Sequence, residues 1–383
     1  MSASLNRRRL LTAAGATLAG PVLAQSLPSL TAPASAPAQS RRFDPQPGDW
    51  REFELVTRIE LKDPKGAARL WVPLPSVASD WQQPLDDRWT GNARQLKVVS
   101  DGHYGARMLR AEFDAGGGAG AEKPQLEVTS RFRTQSRADL AQRPASRAHE
   151  DAATLRAWTA PTALMPTDGI VRETALKAAG DARSDVEKVR RIFDWVVANT
   201  HREPKVRGCG VGDIKAMLET GNLSGKCGDI NGLFVGLVRA AGVPARDVYG
   251  IRLVPSAFGY RELGGNPAKL QGAQHCRAEV WLRDHGWVAM DPADVGKVMR
   301  QETPEWIKDA THPLIVPVKR ALFGGWEGNW LAYNQAHDVR LPGSDGPALG
   351  FLMYPQGEDA GGRYDALDAD SFRYTITARE IKA

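Results

Sequence analysis

The 383-residue sequence predicts an α+β fold, in which helices pack on an antiparallel sheet and a small β-sandwich domain precedes this core. Three patterns support that prediction. Alternating apolar residues dominate residues 47–137, helical periodicity begins near residue 150, and two strand-like stretches joined by a turn follow the helices. Because helices and strands are segregated along the chain, we expect an antiparallel sheet and not a parallel one.

The first 24 residues resemble a twin-arginine signal peptide. Arg7 to Arg9 precede an apolar stretch rich in alanine and glycine, and small residues before and at Ala24 suit a cleavage site. The stretch is short for a membrane span, so we favour cleavage over a permanent anchor and expect no transmembrane segment in the mature chain. These features predict export to the bacterial periplasm. Residues 25–46, rich in Pro, Ala and Ser, then form a flexible linker.

The next region, residues 47–137, has the period-two pattern of half-buried strands. Every second position from Phe53 to Leu61 is apolar or threonine, and shorter apolar alternations follow it. Several short strands at this spacing are typical of a β-sandwich.

The charge balance gives no reason to expect a nucleic-acid partner. The formal net charge is +5, but without residues 1–24 the chain has 47 basic and 45 acidic residues, a net charge of +2. We also predict no cofactor, because no glycine-rich segment has the Gly-Lys-Ser/Thr pattern that binds phosphates.

Cys227 lies where an apolar helix is predicted to start. Apolar residues recur at intervals of three and four from Ile230 to Ala241, and Gly242 and Pro244 mark the end of the helix. A helix N-terminus carries unpaired N–H groups and a partial positive charge, which favour a thiolate. An inert core cysteine is the alternative, and the helix alone does not decide between the two.

Two predicted antiparallel strands further along the chain carry a histidine and an aspartate. His275 opens the first strand and Asp291 closes the second, so the hairpin brings Asp291 within reach of position 275. An imidazole can take the proton of a thiol, and a carboxylate can hold the second imidazole nitrogen. Cys227, His275 and Asp291 are therefore a candidate catalytic triad. Strand alternation, however, places His275 on the face opposite Cys276.

The segments around these residues resemble the motifs of the transglutaminase-like superfamily. They are Gly225-Lys226-Cys227, the strand from His275 to Val280, the strand from Gly286 to Pro292, and the segment from Gly242 to Arg246. The resemblance implies a papain-like catalytic domain over residues 150–300, with Cys227 as nucleophile, His275 as base and Asp291 as the residue that orients the base. It also implies an exported bacterial member, in which residues 301–383 form a β-containing extension.

Cys276 and Arg277 stand where the family usually has alanine and tryptophan. Arg277 is expected to lower the proton affinity of His275 unless Glu279 or another acid offsets its charge. The three cysteines cannot all pair, and the periplasm is oxidising. If Cys227 is the nucleophile, Cys209–Cys276 is the one bridge within the chain that leaves it free.

We expect a thiol enzyme that cleaves or transfers the acyl group of a peptide, protein or cell-wall amide through a Cys227 acyl-thioester. Hydrolysis is favoured because no sequence feature marks a site for an acceptor amine. One alternative is a non-catalytic extracytoplasmic module that binds peptide or cell-wall material. Another is a metal site of Cys209, Cys227, His275 and Cys276, which the opposite directions of the last two side chains make awkward.

Overall fold

The computed structural model describes residues 41–115, 122–142 and 148–382. The predicted signal peptide, residues 1–24, and most of the predicted linker, residues 25–46, lie outside these ranges. Within them, no helix is both long enough and apolar enough to cross a membrane.

Six strands come first along the chain, in the region where alternation predicted them. They are β1 (Arg51–Glu60), β2 (Ala68–Pro73), β3 (Gln82–Gly91), β4 (Gln95–Ser100), β5 (Arg107–Phe113) and β6 (Gln125–Thr134). In β1, every second residue from Phe53 to Ile59 is buried and the residues between them are more accessible. The period-two prediction for this strand is therefore confirmed.

Seven α-helices follow in the described part of the chain. They are α1 (Ala152–Ala157), α2 (Gly169–Ala179), α3 (Asp185–Asn199), α4 (Ile214–Thr220), α5 (Cys227–Ala240), α6 (Pro292–Gln301) and α7 (Val316–Ala321). The remaining strands lie between and after them. They are β7 (His201–Arg202), β8 (Ser224–Gly225), β9 (Ala245–Arg252), β10 (Gln274–Leu282), β11 (Gly286–Met290), β12 (Phe323–Gly324), β13 (Trp330–Asn334), β14 (His337–Val339), β15 (Leu349–Phe351), β16 (Gln356–Asp359), β17 (Gly362–Arg363) and β18 (Tyr374–Ile381).

A central sheet carries the helices. Its strand order is β12-β11-β10-β9-β13, and all of its neighbours are antiparallel. Helix α5 packs on β9 and β10, and every one of its residues is buried. Helices α2 and α3 cover its other side, where Phe193 meets Phe234 edge to face. This arrangement confirms the predicted α+β core of helices on an antiparallel sheet.

Two further sheets form the β-rich part of the molecule. Their strand orders are β18-β1-β6-β3 and β17-β16-β2-β5-β4. Both contribute to one buried apolar cluster, in which Leu70 and Leu109 of one sheet share the core with Leu126 and Val128 of the other. Strands β16, β17 and β18 come from the end of the chain and complete these sheets. The division into segments 47–137, 150–300 and 301–383 stays a prediction.

Strand β18 also anchors the connection between β9 and β10. Leu270 donates its N–H to the Ile376 carbonyl at 2.9 Å, and Ala378 donates to the Pro267 carbonyl at 2.8 Å. The side chain of Gln271 adds a hydrogen bond to the Tyr374 carbonyl at 2.8 Å. The last strand of the chain therefore fixes a loop that leads directly to His275.

Candidate active site

The start of α5 fixes the position of Cys227. Asp229 accepts the N–H of Lys226 with one carboxylate oxygen, at 2.9 Å. Its other oxygen accepts the N–H groups of Val211 and Gly212, both at 2.9 Å. The loop before α4 is thereby tied to the first turn of α5. Cys227 is the first residue of the helix, as predicted, and its N–H has no partner within the helix.

A glycine allows a second cysteine to approach Cys227. Gly228 donates its N–H to the Cys209 carbonyl at 2.8 Å, and a Cβ atom at this position would lie only 2.7 Å from that oxygen. The missing side chain therefore lets the backbone at Cys209 lie against the start of α5, where the Cys209 thiol is the largest influence that lowers the pKa of Cys227.

The β10–β11 hairpin positions the other two predicted residues, His275 and Asp291. Ala278 pairs with Met290, so the next position along places Asp291 opposite Arg277, as the predicted turn requires. His275 Nε2 lies 2.7 Å from Asp291 Oδ2. His275 lines the same cleft as Cys227 and is among the groups that lower the pKa of its thiol. The structure thus brings Cys227, His275 and Asp291 together in one buried series of contacts.

A second carboxylate supports the histidine. Asp294 Oδ2 lies 3.3 Å from His275 Nε2, and the same carboxylate is paired with the buried Arg252. Burial and the charge of Arg252 favour the neutral ring. The charges of Asp294 and Asp291, with the Asp291 hydrogen bond, outweigh both and raise the pKa of His275 to about 9.

Glu279 does not offset Arg277, although the sequence offered it as a candidate. Its carboxylate is bound to Arg137 at 2.6 Å and to Arg246 at 2.7 Å. The Arg277 guanidinium instead lies 3.6 Å from Asp291. The acids that offset the positive charge near His275 are therefore Asp291 and Asp294.

The three cysteines are free thiols in this structure, so the expected Cys209–Cys276 bridge is wrong. Both thiols contact Cys227 instead. Their hydrogen bonds, that of Cys209 before that of Cys276, hold the pKa of Cys227 well below its usual range. Burial opposes this shift, and the hydrogen bond and charge of His275 reinforce it.

His275 and Cys276 both reach Cys227, although strand alternation placed them on opposite faces. Strand β11 covers β10 only from Ala278 onward, and α5 meets the uncovered edge through the hydrogen bond from Asn231 to the Cys276 carbonyl. The four residues of the alternative metal site do not gather their ligand atoms. Among the described residues, only His275, Asp291 and Asp294 bring three such atoms within 4.8 Å of one another. The cations beside those carboxylates disfavour a further positive ion.

A cleft of about 230 Å³ gives access to the thiol. Cys227, His275 and Gln274 line it, together with the β9–β10 connection. A neighbouring cleft of about 340 Å³ has Cys209 and aromatic residues in its wall. The two clefts share Gln271 and Gly272, so they adjoin at this segment of the β9–β10 connection.

Comparison with known proteins identifies the family. The family model of the transglutaminase-like superfamily matches residues 172–292. A protein of Haemophilus influenzae, itself uncharacterized, is 33% identical over 351 residues, which cover 87% of this chain and 92% of that protein. The chain belongs to the transglutaminase-like superfamily.

Solved structures of similar fold include a candidate cysteine protease from Cytophaga hutchinsonii. It is 14% identical, has a TM-score of 0.47, and the alignment covers 87% of this chain and 99% of the other. Another is the periplasmic domain of TgpA from Pseudomonas aeruginosa, which is 18% identical with a TM-score of 0.35. That alignment covers 72% of this chain and 81% of the other.

Two residues of this family member's site escaped the sequence analysis. Asn231 donates to Asp291 at 3.1 Å and to the Cys276 carbonyl at 2.8 Å, so it ties α5 to the carboxylate. Its signal was a polar residue one helical turn after Cys227, between the apolar residues Ile230 and Leu233. Asp294 has a similar signal, because it stands three residues after Asp291, the N-cap of α6.

Proposed function

We propose that the protein is a cysteine enzyme in which Cys227 attacks the carbonyl carbon of an amide. The thiolate forms a thioester with the acyl group, and His275 donates its proton to the departing amine. Asp291 holds the imidazole in the orientation that this transfer needs. The contact series from Cys227 through His275 to Asp291 is the observation that carries the proposal.

The electrostatics support a nucleophile that is charged before the substrate arrives. Hydrogen bonds from the other two thiols lower the pKa of Cys227, while Asp294 and Asp291 raise the pKa of His275 against burial and Arg252. A thiolate beside an imidazolium is therefore the favoured state at neutral pH. The N–H of Cys227, at the first position of α5, is suited to stabilise the oxyanion of the tetrahedral intermediate.

We propose that water is the main acceptor of the acyl group, so that the reaction is hydrolysis of a peptide or a side-chain amide. Water needs no second binding site, whereas transfer requires one for an amine. The arginine-rich N-terminal sequence supports a reaction outside the cytoplasm, on peptide, protein or cell-wall material. The complete contact series does not favour the alternative of a non-catalytic binding module.

Glutamine-containing peptides, with and without a primary amine, test the proposal. We expect ammonia or a cleaved peptide as the main product, little incorporation of the amine, and a loss of at least about a thousandfold in Cys227→Ala. Cys227→Ser is the matched variant, since it keeps the size of the side chain but is a poorer nucleophile. If Cys227 alkylates with iodoacetamide like an ordinary thiol of pKa ~8.5 and no amide reacts, the proposal is wrong.

A further inference from the structure

We propose that the cleft beside Cys227 contains an anion subsite, which binds a carboxylate of the substrate next to the amide under attack. The inference rests on the proposed function, in which Cys227 attacks an amide of the substrate. It narrows the substrate class to acidic peptides or other amides with a carboxylate within about one residue of the reacting carbonyl.

Four cationic side chains line this cleft. They are Arg202 of β7, Arg252 at the end of β9, Lys269 of the β9–β10 connection, and Lys297 of α6. Among the described residues of its lining, none is an aspartate or a glutamate. A concave wall with charges of one sign attracts ligands of the opposite sign.

Two of these cations already have a carboxylate partner outside the lining of the cleft. Arg252 is paired with Asp294, and Lys297 lies 3.4 Å from the Glu262 carboxylate and donates to the Glu262 carbonyl at 2.7 Å. Neither acid lines the cleft. Burial first, then the charge of Arg252, lowers the pKa of Lys297 to about 8 in spite of both acids. The surroundings of Lys297 therefore disfavour additional positive charge.

The other two cations remain available to a ligand. Arg202 donates to the Gln301 side-chain oxygen at 3.0 Å, and Lys269 is exposed to solvent. Within the described part of the chain, neither has a carboxylate within 4.0 Å. An anion in the cleft would gain two charge-assisted interactions that the protein itself does not make.

A buried hydrogen-bond donor points to the same kind of ligand. Gln274 is only 6% exposed, and its side-chain oxygen accepts the N–H of Gly272 at 2.9 Å, which fixes the orientation of the amide. Its Nε2 has no acceptor among the described residues. A buried donor without a partner is unfavourable, so an oxygen of the ligand would stabilise it. The side-chain oxygen of Gln271, where the two clefts meet, also has no donor within the described part of the chain and suits a peptide N–H.

The volume of the cleft is suited to a single residue of a substrate and is too small for a whole ligand. The volume of about 230 Å³ lies below the ~300–1,000 Å³ of pockets that enclose a drug-sized molecule. Tyr354, Leu367 and Phe372 line the neighbouring cleft, together with Lys226 and with Arg207, which is paired with Asp365. The aromatic and aliphatic side chains suit an apolar group on the other side of the reacting carbonyl. The preferred substrate is therefore acidic on one side and apolar on the other.

Two alkylating reagents of nearly equal size test the subsite through Cys227. In both, the thiolate displaces iodide from carbon, but iodoacetate is an anion and iodoacetamide is neutral. We expect the ratio of the iodoacetate rate to the iodoacetamide rate at Cys227, followed by peptide mass spectrometry, to fall about threefold or more in Lys269→Gln and in Arg202→Gln. The ratio should also fall with added salt and stay unchanged in Lys177→Gln, an exposed lysine of α2. Equal ratios in all four proteins would overturn the subsite.

Binding of glutarate to Cys227→Ala, measured by calorimetry, tests the subsite without the thiol. We expect the further substitution Lys269→Gln to weaken glutarate at least about threefold, and Lys177→Gln to leave it unchanged. Absence of glutarate binding, or tighter binding of inorganic phosphate, would overturn a carboxylate subsite. Because this measurement needs no reaction, an unreactive Cys227 together with normal glutarate binding would refute the proposed function and leave the subsite standing.

Discussion

Asp294→Asn should lower the pKa of His275 and narrow the pH range of activity. Asp294 lies 3.3 Å from the imidazole and does not take part in the proposed reaction, so its effect passes through His275. The substitution keeps the shape of the side chain and removes its negative charge. Arg252 then loses its partner and acts on the imidazolium without compensation.

The distance sets the size of the effect. At an effective dielectric constant of about 20, unit charges 3.3 Å apart interact by roughly 5 kcal/mol, which is an upper bound. An opposite charge this close usually shifts a pKa by about 1–3 units, and one unit corresponds to about 1.4 kcal/mol. Starting from about 9, we expect His275 to titrate between about 6 and 8 in the variant. The alkaline limb of kcat/KM should move down with it.

Nuclear magnetic resonance of the labelled imidazole measures this pKa directly, with His275→Asn to assign the signal. Glu279→Gln is the matched control. It also removes a buried carboxylate, but Glu279 lies on β10, binds Arg137 and Arg246, and does not contact His275. That control should lower stability, by about 3–5 kcal/mol, and leave His275 at about 9. A folded Asp294→Asn protein in which His275 still titrates near 9 would refute the reasoning.

Three further predictions concern the thiol of Cys209, two glycines and the stability that His275 contributes. Cys209→Ala should raise the pKa of Cys227, because the substitution removes the thiol that lowers this pKa most. The pH midpoint of Cys227 alkylation by iodoacetamide measures the change, and an unchanged midpoint would contradict the prediction. Gly250→Ala should lower the free energy of unfolding, measured by urea titration, by about 1–3 kcal/mol, since its Cβ would lie 2.0 Å from a β13 carbonyl oxygen. Gly296→Ala, with open space in α6, should raise the same quantity by about 0.5–1 kcal/mol. The raised pKa of His275 contributes stability that is complete below about pH 6.5 and is lost as the pH rises through 9. Urea titrations of His275→Asn should therefore show no decrease of the free energy of unfolding over this pH range.

The parts of the site that sequence reasoning predicted are those set by local rules. The turn at Gly225 and the helical periodicity after it predicted that α5 starts at Cys227, and the structure confirms it. The composition of the turn between β10 and β11 gave a register that places Asp291 opposite Arg277, which is also confirmed. Both depend on residues close together in sequence, where backbone geometry leaves few choices. The catalytic roles of these residues stay predictions.

The parts that could not be predicted depend on distant pairings. Strand β3 is mostly polar and shifts its register between Pro84 and Asp86, so it lacks the alternation that identified its neighbours. Nothing local indicates that β18 pairs with β1. The disulfide expected from the odd number of cysteines failed for a related reason, because only the tertiary structure places Cys209 and Cys276 against Cys227.

The pairing of β18 gives the β-rich part of the molecule a direct connection to the site. The β9–β10 connection supplies Lys269 and Gln271 to the cleft wall, and β18 holds it by the hydrogen bonds at Leu270, Gln271 and Ala378. Loop residues without such anchors move more freely than the elements they join. Because β18 also pairs with β1, one strand holds both that sheet and the wall of the cleft. Changes in β18 should therefore alter substrate binding before they alter the reactivity of Cys227, which α5 positions independently.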